Sequence, residues 1–177
     1  METPTPIEVR RILEERARVL SVAPEREDVG ERVQVVPLII DGETYGVDAS
    51  QVQEIQPLRG LVPVPSTPEF VAGVMNIRGT IYSVVHLRRF LGLPDAENGN
   101  PAKVALVSAA GLTIGVLADE VSDVRSVPLQ DIDPAPATTA GVREEYVRGV
   151  TPDMVLILDL NAVLGDRRMI VSADDAG

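Results

Sequence analysis

Tyr45-Gly46-Val47-Asp48-Ala49-Ser50-Gln51-Val52-Gln53-Glu54-Ile55 has a second version further along the chain, Ile114-Gly115-Val116-Leu117-Ala118-Asp119-Glu120-Val121-Ser122-Asp123-Val124. The two align at an offset of 69 (114 − 45), sharing Gly-Val near the start and Val-x-acid-aliphatic at the end. Beyond them Arg78-Gly79 aligns with Arg148-Gly149 at 70, and Leu87 and Leu91-Gly92 align with Leu160 and Leu164-Gly165 at 73. Around this repeat lie short β-branched runs at 33–40, 44–48, 73–77, 80–85, 103–108, 112–118 and 154–159, separated by turn chemistry. Asp41-Gly42 and Ala110-Gly111 read as hairpin turns. Two brief helical candidates, 86–91 and 159–164, end beside Gly92 and Gly165, which suit a C-cap. Many short, closely spaced strands argue for barrels or a sandwich. With the repeat, they predict two related β-units, each a small barrel followed by a helical turn, packed face to face. A barrel removes its own edges, which matters in a chain so rich in Val and Ile.

The first residues read differently. Thr5 suits an N-cap, Pro6 the first helical position and Glu8 a capping box. Val9, Ile12, Leu13, Ala17 and Leu20 then form a helical apolar stripe among charged neighbours. Residues 21–32 contain Pro24 and a run of charges and read as a linker. The expected division is therefore an N-terminal helix and linker at 1–32, a β domain at 33–165 and a tail at 166–177. The helix either packs on the β domain or docks a partner.

Composition excludes several classes of function. Across 177 residues there are 16 Lys and Arg against 27 Asp and Glu, a formal charge of −11, and no segment is basic. A surface that neutralises phosphates on nucleic acid or on an anionic membrane is not expected. With no cysteine there is neither a disulfide framework nor a thiolate site, and one histidine cannot make a multi-histidine metal centre. The longest uncharged run, Val104 to Ala118, has 15 residues and is interrupted by glycines, too short for a membrane span. The start of the chain does not resemble a signal peptide. The expectation is an acidic, soluble, cytoplasmic protein without metal or cofactor.

No catalytic constellation stands out either. There is no nucleophile elbow, and His86 lies in Ser83-Val84-Val85-His86-Leu87, where apolar neighbours suit a packed strand end. Gly73 and Gly79 flank Met75-Asn76 without phosphate-loop spacing. Asp119, Glu120 and Asp123 lack the alternating ligands of a calcium loop and read as a solvated rim. Asp131 and Asp133 beside Pro134 read as turn formers. With so few aromatic residues, stacking platforms for bases are poorly supplied. What remains looks like a binding surface. Gly46 and Gly115 inside strands suit close approach of another backbone. Arg78 is the sole charge between Glu69 and Arg88 and precedes a glycine turn. It can brace the fold internally or bind a carboxylate or exposed carbonyls with two bonds at once.

Several of these stretches together resemble the CheW-type domain. They are Tyr45-Gly46-Val47-Asp48 through Ile55, Pro63-Val64-Pro65, and Pro68-Glu69-Phe70-Val71-Ala72-Gly73-Val74-Met75-Asn76-Ile77-Arg78-Gly79. Leu87-Arg88, Gly115-Val116, Asp119 to Val124, Asp131 to Pro136 and Leu156 to Leu160 continue the likeness in order across about residues 33–165. The resemblance implies a mostly β fold of two five-stranded SH3-like barrels. It also implies a non-enzymatic adaptor that couples the cytoplasmic tips of chemoreceptors to a CheA-type histidine kinase through the kinase's regulatory domain. Asn76, Arg78, Gly79 and Arg88 would then serve kinase binding and assembly. The groove between the barrels, at Val52, Glu54, Gly73, Gly115, Val121 and Val124, would serve receptor binding. Ser83 and His86 stand where the family usually has Pro and Asp, and the N-terminal helix is an addition. The alternatives are a module of the same fold with other partners, or with a small ligand between the barrels, and a hydrolase using His86.

Overall fold

The computed structural model describes residues 30–94, 99–134, 138–139 and 142–169. The expected N-terminal helix, most of its linker and most of the tail lie outside the described residues. In chain order the elements are β1 (Arg32–Ile40), β2 (Glu43–Asp48), β3 (Val52–Pro57), β4 (Val71–Ile77), β5 (Thr80–Val85), α1 (Leu87–Phe90), β6 (Lys103–Ala109) and β7 (Leu112–Ala118). There follow β8 (Glu120–Val121), β9 (Arg125–Pro128), β10 (Thr138–Thr139), β11 (Val142–Arg143), β12 (Val147–Val150), β13 (Leu156–Leu158) and α2 (Leu160–Leu164). The runs expected from β-branching are all strands, within a residue or two at their ends. β3 and β8 to β12 are not among them: Gln, Glu, Ser, Arg and Gly interrupt the apolar pattern of β3, β9 and β12, and β8, β10 and β11 have two residues each. β3 half-buries alternate residues and exposes the others, as a half-solvated edge strand does.

The fold is mostly β and forms two main sheets. One has the order β12-β13-β2-β1-β8, with β9 also paired to β1; the other has the order β3-β6-β7-β5-β4. The internal repeat is real, but it is interleaved rather than giving one sheet per repeat. Each sheet takes the opening hairpin of one repeat, β1–β2 or β6–β7, and the later strands of the other. The registers show the symmetry. Gly46 lies opposite Ile157 in the parallel pairing of β2 with β13. Adding 69 to 46 and subtracting 73 from 157 gives Gly115 opposite Val84, the pair observed between β7 and β5. Likewise Val35 opposite Arg125 becomes Val104 opposite Gln56. Because buried backbone groups must be paired, each repeat depends on the other to complete its ladders.

The same symmetry corrects one sequence match. Arg78 sits in the β4–β5 turn, whereas Arg148 lies within β12. The structural counterparts are Gly73 and Gly149, each at a register shift in its sheet. Each lies beneath an isolated bridge, Val62 to Val74 or Asp133 to Val150. A Cβ at Gly73 would come 2.3 Å from the Val62 carbonyl oxygen, and one at Gly149 2.5 Å from that of Asp133. Only a residue without a side chain lets the crossing backbone sit so close.

Most central strands are buried on both faces, which explains their unbroken apolar runs. Along β6, Val104 and Leu106 face a cluster within their own sheet that includes Met75, Ile77, Val84 and Leu117. Ala105, Val107 and Ala109 face a larger central cluster shared with Leu38, Tyr45, Val116, Leu158 and both helices. The first sheet has its own small inner cluster of Val35, Val127, Val155 and Ile157. Gly46 and Gly115 face these inner clusters. A Cβ there would meet the side chains of Val35 and Ile157, or of Val104 and Val84. The expected close approach is thus by core side chains, not by another backbone. The Asp41-Gly42 and Ala110-Gly111 turns have positive φ at both residues, the form that suits two-residue hairpins.

Candidate functional site

The β4–β5 hairpin ends in a turn with φ of 56° at Arg78 and 88° at Gly79. Asn76 organises it, its Oδ1 accepting the Gly79 N–H at 2.9 Å. The Arg78 side chain is 78% exposed and reaches Glu54 of β3 at 3.3 Å. β3 and β4 are the two edges of their sheet and share no ladder, so this ion pair ties the seam between them. Exposed Val62 and Ile81 and half-buried Val74 lie on the same hairpin or its bridge. Asn76, Arg78 and Gly79 therefore form one accessible, partly apolar tip with a single guanidinium.

Arg88 is elsewhere and does a different job. Its side chain is only 12% exposed and lies 3.3 Å from Asp41, and it also pairs with Glu43. It donates to the Tyr45 hydroxyl at 3.0 Å and the Pro94 carbonyl at 2.9 Å. Burial, with the neighbouring Glu43 carboxylate, drives the Tyr45 phenol well above its usual range. The guanidinium expected at the kinase surface is occupied inside the protein, where it ties α1 to the β1–β2 hairpin.

The residues expected to line the receptor groove differ in exposure and role. Val52 and Val121, at matching positions of the repeat, both pack against the central core cluster. Glu54 turns toward the β4–β5 tip through Arg78. Val124 is exposed on the bend between β8 and β9. Gly73 and Gly115 are buried, so they shape the second sheet without presenting contact surface of their own. Asp119, read as a rim residue, accepts the backbone N–H groups of Asp41 and Asn100 and so joins the ends of β1 and β7. Among the described residues no group of three or more potential metal ligands occurs, and no helix is long and apolar enough to cross a membrane.

Sequence reasoning missed a second polar cluster. Tyr146 donates to Asp166 at 2.5 Å, and Arg168 donates to Tyr146 at 3.0 Å and to the Phe90 carbonyl at 3.2 Å. The Arg168 guanidinium lies 4.1 Å from the centre of the Phe90 ring, which packs edge-on against Phe70. Burial and the bond to Asp166 raise the Tyr146 phenol. Burial opposes ionisation of Asp166, but the bonds from Tyr146 and Arg168 win and lower its carboxyl. No sequence spacing announces this cluster, because its members come from positions 70, 90, 146, 166 and 168.

With this geometry in view, known proteins give a consistent picture. The CheW-like domain profile matches residues 34–168. The chemotaxis protein CheW of Klebsiella aerogenes is 29% identical over 146 residues, covering 81% of this chain and 87% of that protein. Protein FrzA of Myxococcus xanthus is 33% identical over 122 residues, covering 69% of this chain and 72% of its own length. The crystal structure of the scaffolding protein TtCheW from Thermoanaerobacter tengcongensis superposes with a TM-score of 0.68 at 26% identity, over 78% of this chain and 91% of that one. A profile match spanning both sheets, together with the interleaved repeat, places the chain in the CheW-like domain family.

Proposed function

We propose that this protein is a cytoplasmic, non-enzymatic adaptor that couples chemoreceptor tips to the regulatory domain of a CheA-type histidine kinase. The observation that carries this reading is the two-sheet fold shared with a CheW scaffold, bearing an exposed cationic tip at Arg78. Such a tip suits recognition, since an exposed guanidinium on a hairpin that also exposes Ile81 can anchor a small interface. Asn76, Arg78 and Gly79 make the kinase contact, and Arg88 supports it from within. Val52, Val121 and Val124 offer the apolar receptor contacts and Glu54 a polar one, while Gly73 and Gly115 set the shape of the sheet beneath. Several weak contacts of this kind sum when receptors and kinases cluster. The folded unit is the β domain. Because Arg32 already belongs to β1, bonding Ser126 at 2.7 Å, and the Glu31 carbonyl accepts from Leu129, a trimmed chain must begin no later than Glu31.

Titration calorimetry of the full chain against a CheA-type regulatory domain tests the proposal, with Arg78→Glu alongside. Micromolar binding that falls at least about tenfold in the variant, a loss of about 1.4 kcal/mol, is the expected result. A well-folded parent that binds neither the kinase domain nor receptor tips overturns it.

A further inference from the structure

The two helical turns occupy equivalent places in the repeat, yet they are held in opposite ways. α1 continues from β5 of the second sheet and is tied by Arg88 to the β1–β2 hairpin of the first. α2 continues from β13 of the first sheet and packs on β6 of the second. Shifting each residue of the Arg88 cluster by its repeat offset gives its counterpart. Arg88 maps to Asn161, Asp41 to Ala110, Glu43 to Leu112 and Tyr45 to Ile114. The charged cluster at one joint is therefore replaced at the other by apolar side chains and one amide, whose bond to Gln51 is long at 3.4 Å.

These two joints differ in physical kind. Apolar contact is non-directional and tolerates sliding. A guanidinium held by two carboxylates and a phenol has preferred distances and angles, and displacing it leaves buried polar groups unmatched. We infer that Arg88 is a positioning residue that locks the angle between the two sheets at α1, where Arg168 also holds the Phe90 carbonyl, while the α2 position equivalent to Arg88 contributes no such lock. The lock connects directly to the exposed tip, because α1 follows β5, whose first residue closes the Arg78 turn. Holding α1 thus holds the strand that presents the tip.

The chain has no cysteine, so two spin labels can be placed without removing any native thiol. Thr80→Cys, exposed on the second sheet, and Gln130→Cys, exposed after β9 of the first, report the distance between the sheets. The labelled parent should give one narrow distance distribution. Arg88→Met, which keeps bulk and removes the fork, should broaden or split it, whereas Asn161→Ala at the matching position should leave it narrow. A mere loss of stability does not move this readout while the protein stays folded. A folded Arg88→Met protein with the parent's distribution overturns the inference, as does equal broadening by Asn161→Ala. If Arg88→Met does not fold, Glu43→Gln decides: broadening supports the lock and an unchanged distribution refutes it.

Discussion

The seams of the two sheets are closed by ion pairs of reversed polarity. In the second sheet the cation is on the hairpin tip and the anion on the edge strand, Arg78 with Glu54 at 3.3 Å. In the first the cation is on the edge strand and the anion on the turn, Arg125 with Asp153 at 2.9 Å. Thr151 and Arg125 hydrogen-bond the Asp153 carboxylate and hold its carboxyl below the usual range. Either polarity ties a seam, so the fold does not dictate which sign is displayed. The consequence is two unlike surfaces on a nearly symmetric frame. One hairpin shows a guanidinium and an exposed Ile81; the other shows a carboxylate beside Met154, which is 75% exposed. An adaptor with different partners needs such unlike faces, and the repeat supplies them by diverging at a few exposed positions.

The comparison is broken most severely where the two halves are most alike. Gly73→Ala should cost about 3 kcal/mol, because φ is 151° and the added Cβ would strike the Val62 carbonyl. Gly149→Ala, without a positive φ, should cost less, and denaturant unfolding of both variants measures the difference. Equal costs would mean that backbone strain at Gly73 plays no part.

A smaller effect belongs to the Tyr146–Asp166–Arg168 cluster, which clasps α1. Asp166→Asn should lower stability at neutral pH by about 1–2 kcal/mol, as expected for hydrogen bonds to a charged group. Since the folded carboxyl is lowered, its contribution is present above the ordinary value near ~3.9 and is lost as pH falls through the depressed folded value. The parent should therefore lose stability more steeply than the variant below about pH 4. Parallel acid titrations of unfolding free energy check this; identical slopes would contradict it.

Weaker still is the effect of making the helix starts alike. Asp159 caps α2 by accepting the Ala162 N–H at 3.2 Å, whereas His86 at the start of α1 makes no side-chain cap bond. His86→Asp should stabilise by about 0.5–1 kcal/mol, read as a raised unfolding midpoint. An unchanged or lowered midpoint would show that the neighbouring Asp41 and Asp119 carboxylates outweigh the cap. The smallest effect is predicted at the tips themselves. Arg78→Glu should alter stability by less than about 1 kcal/mol, since the pair is exposed and screened. A larger loss would make Arg78 a structural residue and undermine its assignment to recognition.

Much of the fold was legible in the sequence because β-branched runs and paired-φ turns are local signals. Asp41-Gly42 and Ala110-Gly111 specify their hairpins within two residues, and the β-branched runs of β5, β6 and β7 mark them as strands. Arg78 was legible as well, as a lone charge at a glycine turn, and the family resemblance followed from the order of such elements. Partner strands were not legible. Which hairpin completes which sheet depends on hydrogen bonds between residues about 30 to 110 positions apart, from the pairing of Val84 with Gly115 to that of Gly46 with Ile157. Nor did the sequence separate Arg78 from Arg88, two arginines that both lie in stretches resembling the family. Burial separates them: one guanidinium stands in solvent, and the other is enclosed by Asp41, Glu43 and Tyr45, which lie over 40 positions away. Local chemistry determined the strands, the turns and the acidic, cysteine-free character of the chain. Only the tertiary structure decided the interleaving, the occupied Arg88 and the two unlike tips, because each depends on contacts that exist only once distant segments have met.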